Sequence, residues 1–305
     1  MKHTLSVTVI IVLVFILSQA IGLFVLAHSI VIQKTPDGMT VISYKETIIG
    51  ERPDIHGPQT IAYILIALGM GTGLILLIMR FGKVILWKMM YFFAVWMTSG
   101  ITIGVFVEPG IAMLLALVLA VLKVYKPNVW IHNITELLVY SGIAIIFVPL
   151  LDVLWAGILL VLISLYDMFA VWRSKHMVSL AEFQTKSRAF AGILFSYRTK
   201  VKRRADKILK KYDKSAREMK TAVLGGGDIA FPMIFAGTVL DSLLSAGFQK
   251  SFAFILSMIV PVAVSVFLLL ILVKAKKDKF YPAMPFLTAG CFVGYGTLQL
   301  ILAVL

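Results

Sequence analysis

Two aspartates in long apolar segments are the residues of this chain whose type and setting best suit chemistry. Asp167 lies within residues 165–169, and Asp228 follows three glycines, Gly225, Gly226 and Gly227. An ionisable side chain deep in an apolar segment is costly and is a candidate for function. Two carboxylates that share a site of low dielectric do not readily both ionise, so the pair is expected to hold one proton. Such a pair can activate water with one carboxylate while its protonated partner polarises a carbonyl, which is aspartic-protease chemistry.

Long apolar runs along the chain indicate the elements that position these aspartates. Of the 305 residues, 60% are hydrophobic and only 14% are charged, which excludes an ordinary soluble domain. Helices of about 20 apolar residues satisfy their own backbone groups in a bilayer. We therefore predict an all-α polytopic bundle of nine transmembrane helices. The predicted spans are 5–32, 60–79, 84–107, 110–125, 134–149, 151–173, 222–246, 251–273 and 281–303, with Pro149 separating the fifth from the sixth.

The basic residues predict the orientation of these helices. They concentrate in the connections 80–83, 123–126, 173–220 and 274–279, and 173–220 alone has 15 basic residues against four acidic ones. With nine spans, these connections follow the even-numbered helices and share one side. The positive-inside rule makes that side cytoplasmic, so we expect the N-terminus inside and the C-terminus outside. The net charge of +14 is therefore explained by basic residues that set the topology, and nucleic acid is not expected as a partner.

The chain divides into three predicted parts. Residues 1–173 form an N-terminal membrane part that carries Asp167, and residues 222–305 form a C-terminal membrane part that carries Asp228. Between them, residues 174–221 are expected to form a flexible, basic cytoplasmic loop. An apolar stretch at 189–195 leaves two interpretations of this loop open. It is either a solvated linker that meets anionic headgroups, or it contains a segment that lies on the membrane or plugs a site.

The two aspartates are expected to lie at matching depth. Asp167 precedes Arg173, at the cytoplasmic end of the sixth span, by six residues, and Asp228 follows Lys220 by eight. At ~1.5 Å per residue, both carboxylates lie roughly 9–12 Å from the same face. The sixth and seventh spans are consecutive and antiparallel, so their carboxylates can face one another.

Glycine and proline near the aspartates predict irregular backbone. The three glycines before Asp228 suit either an unwound segment and close approach of another backbone, or a small-residue packing face. A second irregular segment, Tyr281-Pro282-Ala283-Met284-Pro285, opens the ninth span at the same side. It suits either a cavity lining that pairs with an extended peptide or an ordinary proline-containing helix start.

These motifs together resemble the presenilin/signal peptide peptidase family of intramembrane aspartyl proteases. The family has Tyr-Asp in the sixth helix, Gly-x-Gly-Asp in the seventh and Pro-Ala-Leu at the ninth; Met284 stands here where the family has leucine. The resemblance implies that Asp167 and Asp228 are catalytic. No HExxH pattern or Cys/His cluster in the sequence argues for a metal, so no cofactor is expected. The resemblance also implies substrate contacts from a set of residues around the two aspartates: Tyr166, Gly225, Gly226, Gly227, Pro282, Ala283 and Met284.

The resemblance carries further expectations about substrates and setting. The chain is expected to hydrolyse peptide bonds in transmembrane segments within a lipid bilayer. The N-inside topology is similar to the presenilin branch, which implies single-pass substrates with an external N-terminus. The chain is similar to a microbial presenilin homologue of the plasma membrane, working alone or as a homo-oligomer without accessory subunits. The family also suggests autocleavage between the sixth and seventh helices, for which 189–195 is the candidate region.

Two other interpretations use the same residues. An ion or solute transporter could use the Asp167/Asp228 pair as a proton or cation site. A non-catalytic membrane scaffold or lipid-binding protein is favoured only by the basic loop. Four further polar residues are expected to have interfacial roles: His28, His132, Glu136 and Asp241.

Overall fold

A computed structural model describes most of the chain. It covers residues 5–34, 40–48, 50, 55, 57–126, 128–173, 180, 183–184, 187, 189–200, 217–274 and 281–304. The described residues are mostly helical. The helices are α1 (Leu5–Ser29), α2 (Pro58–Arg80), α3 (Val84–Gly104), α4 (Pro109–Tyr125), α5 (Val129–Phe147), α6 (Val153–Met168), α7 (Gly226–Ser245), α8 (Lys250–Ser257), α9 (Ile259–Lys274) and α10 (Met284–Val304).

The prediction of a polytopic helical membrane protein is confirmed. Among the described residues, eight helical segments are long and apolar enough to cross a membrane, with α8 and α9 counted as one segment. The fourth predicted span, 110–125, corresponds to α4, a shorter apolar helix of 17 residues, so the count of nine spans stays a prediction. Of the expected loop 174–221, residues 174–179, 181–182, 185–186, 188 and 201–216 lie outside the described residues, so its expected flexibility stays a prediction.

Two β-hairpins depart from the all-α prediction. Strands β1 (Ile30–Lys34) and β2 (Thr40–Tyr44) pair antiparallel, as do β3 (Gly192–Lys200) and β4 (Arg217–Gly225). The first helix therefore ends at Ser29 rather than 32, and the seventh begins at Gly226 rather than 222. A short apolar run has the same composition in a strand and in a buried helix, so periodicity could not separate them.

Side-chain caps mark the beginnings of α5 and α6. The fifth helix begins at Val129 rather than 134, because the Asn128 side chain accepts from the amide of Trp130 and caps it. The predicted break at Pro149 is present as a short 3₁₀ turn, Val148–Leu150. After it, the Asp152 carboxylate caps α6 by accepting from the Trp155 amide at 2.8 Å.

Helix α7 occupies the centre of the bundle. It contacts α1, α5, α6, α8, α9 and α10. Within an apolar 18-residue stretch of this helix 72% of the residues are buried, against 50% or less in the corresponding stretches of the other candidate spans. Its buried side chains are mainly apolar, including Ile229, Met233 and Phe235. Asp228 is thus carried at the beginning of the most enclosed helix of the described bundle.

Small residues allow the flanking helices to approach closely. A Cβ added to Gly142 of α5 would lie 2.2 Å from the Thr98 carbonyl oxygen of α3. Gly290 and Gly294 of α10 likewise approach backbone atoms of α9, with added Cβ atoms 2.8 Å from the Cα atoms of Val264 and Val260. Helices in a membrane pack through such small residues because lipid supplies no hydrophobic drive for their association.

Candidate active site

Asp167 lies near the end of α6 and is held by the start of α10. Its side chain is only 6% exposed. Its Oδ2 accepts a hydrogen bond from the Met284 amide at 3.2 Å, and the Ala283 amide also donates to this carboxylate. The first amides of a helix have no partner within the helix and carry a positive partial charge, so they suit a carboxylate. Two residues of the Pro-Ala-Met motif are therefore in direct contact with Asp167 through their backbone.

Asp228 is the third residue of α7 and is held by the residues just before it. The Gly225 amide donates to its carboxylate. A Cβ on Gly225 would lie only 3.0 Å from Asp228 Oδ2, so the carboxylate folds back over this glycine. An acidic side chain at the third helical position that bonds the capping residue's amide forms half of a capping box. The Gly-rich sequence thus fixes the direction of the Asp228 side chain locally.

The two carboxylates belong to one site. Helices α6 and α7 pack against each other, and the charge of Asp167 acts on the Asp228 carboxyl. The chain after Asp167 continues into a single π-helical turn, Phe169–Arg173. Such turns occur often at functional sites. The matching depth of the two carboxylates stays a prediction.

The three glycines before Asp228 have different surroundings. Gly226 packs against the Tyr140 ring, and its amide donates to the Ala191 carbonyl at 3.3 Å. Gly227 is exposed, and a Cβ there would meet only the Phe231 ring at ordinary contact distance. Both interpretations of the glycines therefore have an observation in their favour: close packing at Gly226, and open backbone at Gly227.

Tyr166 and Pro282 lie beside the contacts that hold the aspartates. Tyr166 is half-buried, and its hydroxyl lies 3.4 Å from Thr72 Oγ1 of α2. Pro282 is buried immediately before the two amides that reach Asp167. Tyr166 thus faces a neighbouring helix, while Pro282 belongs to the irregular segment that begins α10.

Sequence reasoning missed a buried polar cluster behind the hairpin. His132 and Glu136, expected at the interface, are 8% and 1% exposed, and Lys123 is 2% exposed. Lys123 Nζ lies 2.5 Å from Glu136 Oε1, which also accepts from the Tyr91 hydroxyl at 3.0 Å. The i, i+4 spacing of His132, Glu136 and Tyr140 places them on one face of α5. This spacing was the one feature of the sequence that could have indicated the cluster.

The other two polar residues expected at the interface behave differently. His28 is exposed and its Nδ1 contacts the Phe24 carbonyl one turn earlier in α1. Asp241 of α7 accepts a hydrogen bond from the Tyr44 hydroxyl of β2. Within the part of the chain that the structure describes, no group of three or more His, Cys, Asp or Glu side chains is placed to hold a metal ion.

Comparison with known proteins decides the family. The sequence model of the family described as "Signal-peptide peptidase, presenilin aspartyl protease" matches residues 51–304. The chain belongs to this family. As a member of it, the chain is an aspartic endopeptidase of the membrane, and the resemblance inferred from its motifs is confirmed.

Solved structures share the fold of this chain. A presenilin family intramembrane aspartate protease in space group C222 aligns with a TM-score of 0.57 and 17% identity, covering 95% of this chain and 99% of that one. The same type of protein in space group P2 aligns with a TM-score of 0.54 and 18% identity, covering 94% and 96%. Comparison with curated protein sequences finds no match.

Proposed function

We propose that this chain cleaves peptide bonds within or near transmembrane segments, and that Asp167 and Asp228 are its catalytic dyad. The observation that carries the proposal is the shared site of the two carboxylates, each oriented by backbone amides. One carboxylate takes a proton from water as the water oxygen attacks the scissile carbonyl. The protonated partner donates to the carbonyl oxygen, and the tetrahedral intermediate then collapses as the leaving nitrogen is protonated.

The outer edge of β4 is the proposed place for an extended substrate. The Gly192 carbonyl and both backbone groups of Leu194 bond side chains of α5, so they point away from β4. In an antiparallel pair, two directly opposed residues point their backbone N–H and C=O groups either toward each other or both outward, away from the partner strand. The backbone groups of their partners Gly225 and Val223 therefore point away from β3. Because the Gly225 amide donates to Asp228, the groups proposed to pair with a substrate are the Gly225 carbonyl and both backbone groups of Val223. A substrate paired there would be led toward Asp228.

Gly227 and the start of α10 are the proposed walls of the cleavage site. Exposed Gly227 lets a substrate backbone approach the chain beside Asp228. Pro282, Ala283 and Met284 would border the opposite side, beside Asp167. We assign Tyr166, Gly225 and Gly226 supporting positions around the bound peptide.

The membrane arrangement proposed for this activity has nine spans, including the short α4. The four basic connections then lie in the cytoplasm, with the N-terminus inside and the C-terminus outside. Substrates would be single-pass segments with an external N-terminus, cut without accessory subunits by the chain alone or as a homo-oligomer. The plasma membrane of a microbe is the proposed location. Autocleavage at 189–195 stays a prediction.

Reconstitution with a transmembrane substrate tests the proposal. The purified chain and its variants Asp167→Ala and Asp228→Ala are placed in proteoliposomes with a single-pass substrate, and products are identified by mass spectrometry. We expect wild type alone to cut within the substrate's apolar segment. Cleavage by either variant would refute the dyad. Proton or cation flux that depends on the same aspartates, without cleavage, would favour the transporter.

A further inference from the structure

The chain that leads into β3 is held by side chains of two helices. Five hydrogen bonds join α3 and α5 to backbone groups of residues 189–194, and four of these bonds end on carbonyl oxygens. They are Trp87 Nε1 to Ala189 O at 3.0 Å, Tyr91 Oη to Phe190 O at 2.8 Å, His132 Nε2 to Gly192 O at 2.7 Å, and two bonds of 2.9 Å between Asn133 and Leu194. We call Trp87, Tyr91, His132 and Asn133 the hairpin clamp.

Asn133 imitates a neighbouring β-strand. Its Nδ2 donates to the Leu194 carbonyl, and its Oδ1 accepts from the Leu194 amide. Both backbone groups of one residue are thereby satisfied, as they would be in a sheet. This closes the outer edge of β3 against the bundle and leaves the register of the hairpin fixed on that side.

A buried ion pair stands behind the clamp. Glu136 Oε1 contacts Lys123 at 2.5 Å and accepts from Tyr91 at 3.0 Å, while His132 Nε2 lies 4.0 Å away. Charges inside a membrane bundle are costly and are retained where they have a specific role. Here the pair orients Tyr91, and His132 must carry its proton on Nε2 because a carbonyl can only accept.

The clamp reaches Asp228 through a short series of contacts. Gly192, held by His132, pairs with Gly225 across the hairpin, and a Cβ on Gly192 would lie 2.5 Å from the Leu224 carbonyl oxygen. Gly225 in turn donates its amide to the Asp228 carboxylate. A shift of β3 relative to α5 would therefore move the residue that orients Asp228.

We propose that the hairpin clamp is a set of positioning residues that holds β3 and β4, and through Gly225 the Asp228 carboxylate, in the geometry needed for catalysis. The proposal rests on the proposed role of Asp228. It assigns a purpose to the apolar stretch 189–195, which would serve as the docked base of the active-site hairpin. On this account the clamp residues act on catalysis through Gly225 and not by contact with the substrate.

The test compares Asn133→Leu with Asn128→Ala in the full-length protein. Both positions lie at the beginning of α5, but the Asn128 side chain caps the helix by accepting from Trp130. We expect both variants to lower the melting temperature slightly. Only Asn133→Leu should accelerate hydrogen exchange of the Leu194 amide, by at least tenfold, and lower kcat about tenfold at unchanged KM.

Tyr91→Phe provides a second variant that keeps the ring and removes one hydroxyl. We expect a loss of about threefold in kcat with little change in KM. If Asn133→Leu leaves the hydrogen exchange of the Leu194 amide unchanged, the clamp is refuted. It is also refuted if Asn133→Leu accelerates this exchange but keeps the wild-type kcat. In either case Asp228→Asn decides the proposed function separately, because that variant must be inactive whether or not the clamp exists.

Discussion

Asp167 is held across the bundle by another helix, whereas Asp228 is held by the residues that immediately precede it. The Asp167 carboxylate accepts from amides of Ala283 and Met284, more than 100 positions along the chain. The Asp228 carboxylate accepts from Gly225. One half of the site therefore depends on tertiary packing, and the other on the local geometry of a strand that turns into a helix. Substitutions at the two places should fail in different ways.

Removing the amide that reaches Asp167 should have the largest effect of the four tests proposed for this comparison. In Met284→Pro the N–H is lost, although proline is tolerated at the first position of a helix. A hydrogen bond to a charged group contributes about 1.5–3 kcal/mol, so kcat should fall roughly 10- to 100-fold. The rate of substrate cleavage in proteoliposomes measures this.

Met284→Leu is the matched control, because it keeps the amide and restores the residue typical of the family. Its kcat should stay within about twofold of wild type, since leucine and methionine have similar volumes. If Met284→Pro cleaves as fast as Met284→Leu, the amide does not position Asp167.

A methyl group beside Asp228 should disturb the local half of the site. The backbone of Gly225 has φ −62° and ψ 144°, which alanine adopts without strain. The Cβ would nevertheless lie 3.0 Å from Asp228 Oδ2 and displace it. We expect Gly225→Ala to lower kcat about tenfold, because a small misplacement of a reacting group is costly.

Gly69→Ala in α2, where an added Cβ meets no atom within 4 Å, should leave kcat unchanged. Equal kcat values for the two variants would contradict the account.

The pH–rate profile tests whether the two halves act as one unit. Below the lower apparent ionisation both carboxyls are protonated and no base remains; above the upper one both are ionised and no acid remains. Activity should therefore fall on both sides, by up to tenfold per pH unit far from the optimum. A profile with a single limb in kcat would show that the carboxyls do not share one proton.

The smallest effect is expected at the contact that joins α6 to α10. Ser164 Oγ and Thr288 Oγ1 lie 2.8 Å apart, one turn from the residues that meet at Asp167. Interhelical hydrogen bonds in membranes contribute about 0.6 kcal/mol on average, so Thr288→Val should lower kcat no more than about threefold and the melting temperature by a few degrees.

Thr297→Val is the control for that contact. Thr297 lies on the same helix and is exposed, and its hydroxyl bonds the Val293 carbonyl within α10. The Thr297→Val variant should therefore have the melting temperature of wild type. A larger loss of stability in Thr297→Val than in Thr288→Val would show that the α6–α10 contact is not what Thr288 contributes.

Much of the membrane architecture could be predicted from the sequence. Long apolar runs, Pro149 and the basic connections indicated the helices and their order, because a bilayer leaves the backbone few alternatives. The strands β3 and β4 could not be predicted in the same way. Their pairing joins residues as far apart as Gly192 and Gly225, and the composition of 189–195 does not distinguish a strand from a membrane-associated segment.

The catalytic candidates could be predicted from their residue types, but the groups that orient them could not. Asp167 and Asp228 stood out because carboxylates are rare in apolar segments. The amides of Ala283 and Met284 carry no signal in side-chain chemistry, although two prolines marked their segment as irregular. Glu136 and His132 were predicted to lie at the membrane interface, because they stand near the predicted start of a helix. They are buried because residues 189–194 dock over this part of the bundle, which is a tertiary contact that the sequence does not reveal.

The most direct test of the dyad is the additivity of its two substitutions. Asp167→Asn, Asp228→Asn and the double variant are compared with wild type for cleavage of one transmembrane substrate, after their melting temperatures confirm folding. Residues that act as a unit are not additive, so each single variant should lose at least ~1,000-fold and the double variant should lose no more. A single variant that retains substantial cleavage, or a double variant whose loss is the product of the two, would contradict the account.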